Sequence, residues 1–328
     1  MARLAFVGDV MLGRLVNARL RAGLKPAQCW GDVGPLLQAT DGVIANLECA
    51  LTTSRARWLR TPKAFHFRAD PKAVDVLKAG NIRAVCLANN HILDFEVTGL
   101  SDTLKNLDQA GIAHAGAGID LTAAHAAARF SCADLKIALL AVTDNQPGFA
   151  AGVASPGTAH VELGTGEAEL WPTAEEIKAL RKNGAELIVL SSHLGPNMVE
   201  EPSAQIRSYR HACVGRGVDV VHGHSAHIVQ GIERQGKALI LHDTGDILDD
   251  YAVDPVHRND WSFVFFLELE RNLIRRITLC PVELVLAQVR RAPASAADAI
   301  CTRMLTLCAR LGTRLTRVPE GLDLILAS

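Results

Sequence analysis

Three histidines, His222, His224 and His227, stand within six positions of the stretch VVHGHSAHIVQG at residues 220–231. The whole chain of 328 residues contains only 12 histidines, and these three follow an apolar run. Gly223 lies between the first two and permits close approach of another backbone. Because neutral imidazole is the commonest metal ligand in proteins, this pattern favours a metal site whose other ligands come from elsewhere in the chain.

Further polar side chains stand directly after other apolar runs. Each alone is weak evidence, because an aspartate after a strand is more often a helix cap or a turn former than a ligand. The carboxyl ends of neighbouring parallel strands meet at one edge of a sheet, however, and buried charges are costly unless they are paired or metal-bound. The residues at these positions are Asp9, Asn46, Glu48, Asn89, Asn90, His91, His193, Asp243, Asp246, Asp249 and Asp250.

This set of donors contains oxygen and nitrogen atoms but no thiolate, which favours Zn, Mn or Fe over a soft-metal site. We expect one or two divalent ions, and the two carboxylate oxygens of Glu48 are suited to bridging a pair. The ions of such pairs lie about 3.5–4 Å apart, where they activate a water molecule or stabilise developing charge.

The elements that must position these side chains alternate between strands and helices, which indicates an α/β fold with mostly parallel central strands. Continuous apolar runs, typical of strands buried on both faces, cover residues 3–8, 42–47, 84–88, 136–142, 186–192, 218–222, 238–242 and 262–270. Helices with start signals or a following glycine are predicted over residues 71–79, 99–110, 173–183 and 203–214.

Two segments fall outside this alternation. Residues 143–172 are rich in Gly, Pro, Thr and Ala and lack periodicity, so we predict a long loop or lid over the site. After Pro281 no strand–helix unit is predicted, and residues 296–311 carry apolar side chains at the spacing of an amphipathic helix. We therefore expect a catalytic domain over residues 1–280 and a C-terminal helical extension over residues 281–328 that packs on it.

Composition narrows the classes of function. The net charge of −1, without long runs of either sign, gives no argument for binding nucleic acid or an anionic membrane surface. The eight cysteines form no CxxC pair and several lie in apolar runs, which indicates buried, reduced thiols. No segment has the roughly 18 apolar residues of a membrane span, and the N-terminus lacks the longer apolar stretch of a signal peptide. We expect a cytoplasmic protein.

Several stretches together resemble a known family: FVGDVMLGR, ANLECALT, LANNHILDF, SSHLGP, HGHSAHIVQG and LHDTGDILDDY. Their order and spacing over roughly residues 3–270 are similar to the bacterial capsule-biosynthesis protein A (CapA) family, also called poly-γ-glutamate synthesis proteins. That family belongs to the calcineurin-like metallophosphoesterase superfamily. The resemblance therefore implies a four-layer α/β/β/α sandwich.

The resemblance also implies roles for the matching residues. Glu48 occupies the position of the bridging carboxylate, and His91 matches an acid that acts from beside the metal. His222, next to the paired histidines, has no settled role. The positions that match metal ligands of the superfamily are Asp9, Glu48, Asn90, His193, His224 and His227.

Three departures from the superfamily pattern bear on the reaction. The usual Asp-x-His at the first strand end reads Asp9-Val10-Met11 here, and a thioether does not replace imidazole on a hard or borderline ion. The usual tryptophan and glutamate after His193 are absent, and the usual Gly-Asn near the end is Gly245-Asp246. These departures speak against simple phosphodiester hydrolysis and for a subgroup with its own substrate.

We expect a metal-dependent enzyme that polarises a carbonyl of a peptide or polyglutamyl substrate, with His91, His193 and Asp246 as acid or base candidates. A polarised carbonyl also acidifies its α-hydrogen, so a Cα epimerase resembling that of lasso-peptide pathways is an alternative. Phosphoester hydrolysis and a noncatalytic role in polymer synthesis are further alternatives. The candidates for substrate binding are Arg258, through its guanidinium, Lys63 and Asn89.

Overall fold

The computed structural model describes residues 1–164 and 171–326. Every strand expected from the sequence is present, with ends shifted by a few residues. The strands of the described chain are β1 (Ala2–Val10), β2 (Gly42–Leu47), β3 (Ala50–Leu51), β4 (Arg68–Ala69), β5 (Ile82–Cys86), β6 (Ala113–Ala115), β7 (Ala117–Gly118), β8 (Ala128–Cys132), β9 (Leu135–Thr143), β10 (Gly157–Thr158), β11 (Leu187–His193), β12 (Val220–His224), β13 (Ile232–Gln235), β14 (Ala238–Leu241), β15 (Asp246–Leu248), β16 (Trp261–Glu270), β17 (Leu273–Val285), β18 (Gln288–Arg291), β19 (Thr316–Val318) and β20 (Gly321–Ile325).

The expected helices are also present. Thr173 and Glu176 form the predicted capping box, in which each side chain accepts from the backbone N–H of the other residue. Ser203 caps a second expected helix by accepting from Ile206 N. The helices are α1 (Arg14–Arg21), α2 (Gly34–Gln38), α3 (Val74–Ala79), α4 (Glu96–Ala110), α5 (Leu121–His125), α6 (Ala174–Lys182), α7 (Ala204–Gly215) and α8 (Ala294–Arg310), with 3₁₀ turns at Pro26–Val33, Pro71–Ala73 and Pro147–Phe149.

Two large sheets form the centre of the molecule. The first has the strand order β19-β20-β17-β16-β1-β2-β5-β6, with β15 paired to β1 and β18 paired to β17. The second has the order β13-β14-β12-β11-β9-β8. Parallel pairing is confirmed for β1, β2, β5 and β6 and for β9, β11, β12 and β14. Antiparallel strands extend both sheets outward from these parallel centres.

The two sheets pack face to face and helices cover their outer faces. Phe6 and Ile44 of the first sheet share a buried cluster with Val189 and Val220 of the second. Apolar residues of α1 to α4 pack on the other face of the first sheet, and those of α6 and α7 on the other face of the second. This is the four-layer α/β/β/α sandwich that the family resemblance implied.

The segment over residues 143–172 is more ordered than the predicted loop. It contains the turn Pro147–Phe149 and the short strand β10, which pairs with β7. Gln146 lines the large cavity described below, so part of the segment does border the site. Residues 165–170 of the predicted lid lie outside the described residues.

The C-terminal segment differs from the predicted helical extension. Strand β17 runs through the boundary after residue 280, and β18, β19 and β20 join the same sheet. Pro281 does not end β17, because its carbonyl still accepts from Ala292 N at 3.0 Å. The expected amphipathic helix is present as α8, with Ile300, Met304 and Cys308 buried.

All eight cysteines lie in the described residues, where each is buried and none forms a disulfide, as expected. Over residues 1–164 and 171–326, none of the helices combines the length and the apolar character that a membrane crossing requires.

Candidate metal centre

The carboxyl ends of the central strands bring the predicted ligands together where the two sheets meet. Residues at the ends of strands in both sheets, distant along the chain, form two groups whose ligand atoms lie within 4.8 Å of one another. Every member is buried. The first group is Asp9, His193 and His224, and the second is Asp9, Glu48, His227 and Asp246.

The first group pairs one carboxylate with two imidazoles. Nδ1 of His193 lies 2.9 Å from Nδ1 of His224, so the two nitrogens cannot both carry a proton. Burial, reinforced by other cationic side chains, lowers the pKa of both histidines well below the ordinary value. Both imidazoles are therefore neutral, which is the form that binds a metal.

The second group contains three carboxylates around one imidazole. Nδ1 of His227 lies 2.9 Å from Asp246 Oδ1 and 3.5 Å from Asp9 Oδ2. Burial alone lowers the pKa of His227, but the carboxylates of Asp246, Glu48 and Asp9 outweigh it and raise that pKa well above the ordinary value. Burial also raises the pKa of Asp9 and Asp246. The group carries excess negative charge that a cation would neutralise.

Unpartnered oxygens show that these residues fit a divalent ion. One oxygen of each of four side chains is buried and has no hydrogen-bond partner among the described residues: Asp9 Oδ2, Glu48 Oε1, Asn90 Oδ1 and Asp246 Oδ2. Leaving such groups buried and unpaired is costly, and metal coordination satisfies them. The sequence predicted oxygen and nitrogen donors, and the structure brings such donors together, whereas the identity of the metal stays a prediction.

One residue is placed to serve more than one ion, whereas the bridging role of Glu48 stays a prediction. Asp9 belongs to both groups. Glu48 was expected to bridge, and its Oε1 lies 3.8 Å from His193 Nε2 and 3.9 Å from His227 Nε2, between the histidines of the two groups. Because the donors divide into two overlapping groups, the arrangement accommodates one or two ions.

Asp246 lies among the ligands, although the sequence suggested an acid or base. Strand β15 pairs in parallel with the end of β1, and the register sets Asp246 opposite Asp9. Met11, which stands where the superfamily has a histidine, is buried and accepts from Gly13 N through its sulfur at 3.0 Å. Met11 thus offers no oxygen or nitrogen donor, and Asp246 supplies an additional one beside Asp9.

Two buried asparagines hold Asp9 in place. Asn46 Nδ2 donates to Asp9 Oδ1 at 2.8 Å, and Asn89 Nδ2 donates to Asn46 Oδ1 at 3.0 Å. Asn89 was expected to bind substrate, but it is fully buried, and its Oδ1 accepts from His91 N at 3.0 Å. Because the side-chain Nδ2 and Oδ1 of Asn89 are already hydrogen-bonded within the protein, Asn89 positions Asn46 and Asp9. It is not available to a ligand in the cavity.

A cavity of about 600 Å³ opens beside the metal centre. His91 lies on its wall, stacked on Phe67 with 4.0 Å between ring centroids, and its Nδ1 is 2.7 Å from Asp94 Oδ2. Lys63 Nζ lies 3.1 Å from Asp94 Oδ1 and donates to Asn90 O. The residues lining the cavity are Arg14, Pro62, Lys63, Ala64, Phe65, Phe67, Asn90, His91, Gln146, Asn197, Met198, His227, Tyr251 and Ala252.

Arg258 does not belong to this cavity. Its guanidinium donates to Asp260 at 2.7 and 2.6 Å, lies 3.6 Å from Glu283, and stands 4.0 Å from the ring centroid of Trp261. Arg258 was expected to bind substrate, but it lies just before strand β16 and its guanidinium is held by side chains of the protein.

Arg14 and Tyr251 are cavity residues that the sequence did not single out. Tyr251 OH donates to Glu48 Oε2 at 3.0 Å and so links the cavity wall to the metal centre. Arg14 forms an ion pair with Asp250 at 2.9 Å, although the two are far apart in the chain. The acidic stretch Asp249-Asp250 directly before Tyr251 could have indicated Tyr251 as a site residue. No sequence pattern around Arg14 indicated that it lines the cavity.

His222 is a structural histidine that joins the two sheets. Its Nε2 lies 3.0 Å from Val7 O and 3.2 Å from Thr244 Oγ1, and its Nδ1 lies 3.3 Å from Ser191 Oγ. Burial lowers its pKa to about 3, so it is neutral. It belongs to neither ligand group.

We expect His222→Gln to lower the free energy of unfolding by about 1–3 kcal/mol, because buried hydrogen-bonding groups lose their partners. Metal content per folded chain should stay unchanged. Thermal unfolding and elemental analysis measure the two quantities, with His224→Gln as the matched variant that should lose metal. A His222→Gln protein that lost as much metal as His224→Gln would contradict the structural role.

Comparison with known proteins identifies the family. A family model described as bacterial capsule synthesis protein PGA_cap matches residues 3–251. A probable polyglutamine synthesis accessory protein of Mycobacterium tuberculosis is 29% identical over 328 residues, covering 96% of this chain and 85% of that protein. The PGA biosynthesis protein CapA of Bacillus subtilis is 27% identical over 283 residues, covering 85% of this chain and 71% of its own length.

Solved structures show only distant similarity. An NAD nucleotidase of Haemophilus influenzae aligns with a TM-score of 0.44 and 12% identity, covering 90% of this chain and 52% of that one. Similarity at this level carries no argument about the reaction. The family match, by contrast, spans most of the chain and includes every residue of both ligand groups. The chain belongs to the bacterial capsule synthesis protein family, PGA_cap.

Proposed function

We propose that the protein is a metal-dependent enzyme that acts on an amide of a peptide or polyglutamyl substrate during polymer synthesis. The observation that carries the proposal is the pair of buried ligand groups, with unpartnered carboxylate oxygens, beside a cavity of about 600 Å³. The names of the similar proteins, a polyglutamine synthesis accessory protein and a PGA biosynthesis protein, support the class of substrate. A cytoplasmic location stays a prediction.

One or two divalent ions, held by Asp9, Glu48, Asn90, His193, His224, His227 and Asp246, would supply Lewis-acid polarisation of the substrate carbonyl. The chain itself supplies proton transfer and orientation. His91 lies on the cavity wall with Nδ1 directed at Asp94, so its other ring nitrogen is the group available to a substrate. His193 is fully enclosed beside His224, so a ligand role fits it better than acid or base chemistry.

Lys63 and Arg14 orient an anionic substrate. Both line the cavity, and their charges attract carboxylates. Each is also held by an acid of the protein, Lys63 by Asp94 and Arg14 by Asp250. These ion pairs fix the cations in place and moderate the local charge. Phe65, Phe67 and Tyr251 provide an apolar wall for the stem of the substrate.

Epimerisation at Cα is the second candidate. The observation that favours it is that two proton-carrying groups, the His91 imidazole and the Tyr251 hydroxyl, both contact Phe67 and line the cavity. Inversion without cleavage of the chain requires one group to remove the α-proton from one face of the carbon and the other to return a proton to the opposite face.

A peptide assay in D₂O tests the proposed function. The metal-loaded protein is incubated with oligo-γ-glutamate, and mass spectrometry records new amine termini and deuterium at carbon. New termini support hydrolysis or transfer, and deuterium without cleavage supports epimerisation. Turnover of an aryl phosphate alone, or no turnover at all, would contradict the proposal.

We expect His91→Gln to lower the peptide rate about 100-fold or more, because general acid or base groups contribute at least that factor. Its metal content should remain that of the wild type, because His91 is in neither ligand group. His114→Gln is the matched control, since His114 is a histidine of strand β6 that pairs with Asp108 away from the cavity. A normal rate in His91→Gln would remove this residue from the chemistry.

A further inference from the structure

A smaller pocket, of about 160 Å³, lies next to the metal cavity and holds three arginines. Arg21 comes from α1, Arg55 from the segment after β3, and Arg68 from β4. The pocket and the metal cavity are adjacent, because the consecutive residues Phe67 and Arg68 line the metal cavity and the pocket, respectively. The complete lining is Asn17, Arg21, Thr52, Thr53, Arg55, Arg68, Ala69 and Asp70. We refer to it as the arginine pocket.

The positive charge of the arginine pocket is largely uncompensated. Neither Arg21, Arg55 nor Arg68 forms an ion pair with any residue in the described part of the chain. Arg68 donates to the neutral carbonyl of Thr53 at 3.0 Å, and its guanidinium stands 5.1 Å from the ring centroid of Phe95. Asp70 is the one carboxylate in the lining, and its Oδ1 already accepts from Lys72 N.

The pKa of Arg68 reflects repulsion between neighbouring arginines. Burial, followed by the nearby guanidinium groups of Arg55, Arg21 and Arg57, lowers the pKa of Arg68. Like charges that lie close together repel one another, and a bound anion would offset that repulsion. Guanidinium groups bind carboxylates through paired hydrogen bonds, and three of them around one small pocket suit a single carboxylate group.

Helix α1 connects the arginine pocket to the metal cavity. It begins at Arg14, which lines the cavity, and ends at Arg21, which lines the arginine pocket. The two residues are therefore about 10 Å apart along the helix axis, at roughly 1.5 Å per residue. An extended α-linked chain covers about 3.3–3.6 Å per residue, and a γ-linked glutamyl residue has five backbone atoms instead of three, so about two γ-linked residues span that distance.

We propose that the arginine pocket, formed by Arg21, Arg55 and Arg68, is a distal subsite that binds a carboxylate of an extended polycarboxylate chain whose reacting amide lies in the metal cavity. The identity of that chain rests on the proposed function, whereas its binding can be measured without turnover. The subsite selects for length, because a single glutamyl residue cannot fill both places.

Equilibrium binding tests the subsite. Fluorescein-labelled hexa-γ-glutamate and fluorescein-labelled glutamate are titrated with Mn²⁺-loaded protein, and anisotropy gives the dissociation constants. We expect Arg21→Gln and Arg55→Gln each to weaken binding of the hexamer about tenfold, because hydrogen bonds to charged groups are lost. Binding of the single glutamate should be unchanged. Both arginines are exposed, so these variants are expected to fold.

Arg19→Gln is the matched control, because Arg19 is an exposed arginine of the same helix that does not line the pocket. Equal hexamer affinities for Arg19→Gln, Arg21→Gln and Arg55→Gln would overturn the subsite. It would also be overturned if the single glutamate lost as much affinity as the hexamer, or if a single-stranded oligonucleotide of equal charge bound more tightly through the same arginines. Hexamer binding that depends on Arg21 and Arg55, without any peptide turnover, would support the subsite and refute the proposed function.

Discussion

Asp9→Asn is expected to remove metal binding from both ligand groups, because Asp9 is the residue that the two groups share. An asparagine keeps the volume and one carbonyl oxygen but loses the negative charge that a divalent ion requires. We expect metal affinity to fall at least about 10–100-fold. Loss of a residue that only hydrogen-bonds to a metal ligand already lowers metal affinity by about that factor. Elemental analysis and a metal titration of the purified variant measure the change.

The matched control for this prediction is Asp120→Asn. Asp120 caps α5 by accepting from Ala123 N, and asparagine caps helices as well as aspartate does. The control therefore removes one carboxylate charge without touching the centre, and its metal content should equal that of the wild type. Equal metal affinity for Asp9→Asn and Asp120→Asn would show that Asp9 is not a ligand.

Gly8→Ala is expected to damage both the fold and the metal centre. A Cβ at Gly8 would lie 1.7 Å from the carbonyl oxygen of Gly245, so β1 and β15 could not keep their present separation. Those strands set Asp9 opposite Asp246, and Asp9 N donates to Gly245 O at 2.9 Å. Overpacking of this kind costs about 1–3 kcal/mol of unfolding free energy or more. Denaturant unfolding and a metal titration measure the two losses.

Gly215→Ala provides the comparison within the same chain. Gly215 is the last residue of α7, and a Cβ added there would meet no atom within 4 Å outside its own helix backbone and chain neighbours. Alanine is favoured over glycine in a helix by about 0.5–1 kcal/mol, so we expect unchanged or slightly higher stability and unchanged metal binding. If Gly8→Ala had the same stability and metal affinity as Gly215→Ala, the close contact between β1 and β15 would not be needed to place Asp9 beside Asp246.

Much of the centre could be predicted from the sequence because it lies at the ends of regular elements. The continuously apolar strands β1, β2, β11 and β12 each end in, or directly before, a polar residue that the structure brings to the centre. Parallel neighbours must present these ends at the same edge, so strand assignment accounts for the meeting of His193 with His224 on β11 and β12. Asp9 lies on a strand of the other sheet, and its meeting with the two histidines was implied only by the family resemblance.

The misplaced residues depend on contacts between distant parts of the chain. The ligand-like position of Asp246 follows from the pairing of β15 with β1, and β15 has only three residues and no marked pattern. Arg258 was misassigned because its guanidinium is held by Asp260, two residues further along the chain, and by Glu283 of β17. Asn89 was misassigned because its partner Asn46 lies on β2, far away in the chain.

The C-terminal segment was mispredicted for a local reason. The sequence predicted no strand–helix unit after Pro281, but a proline loses only its own donor, and β17 continues through it. The short strands β18 to β20 carry polar and apolar residues in alternation at a sheet edge, a weaker pattern than the continuous runs of the centre.

Anomalous scattering from crystals grown with Mn²⁺ or Zn²⁺ tests the metal centre most directly. Data collected on either side of the metal absorption edge locate the ion independently of the protein atoms. We expect one or two peaks enclosed by Asp9, Glu48, His193, His224, His227 and Asp246, with Asn90 facing them. Absence of any peak there at saturating metal, or peaks bound only by surface residues, would contradict a metal centre at this site.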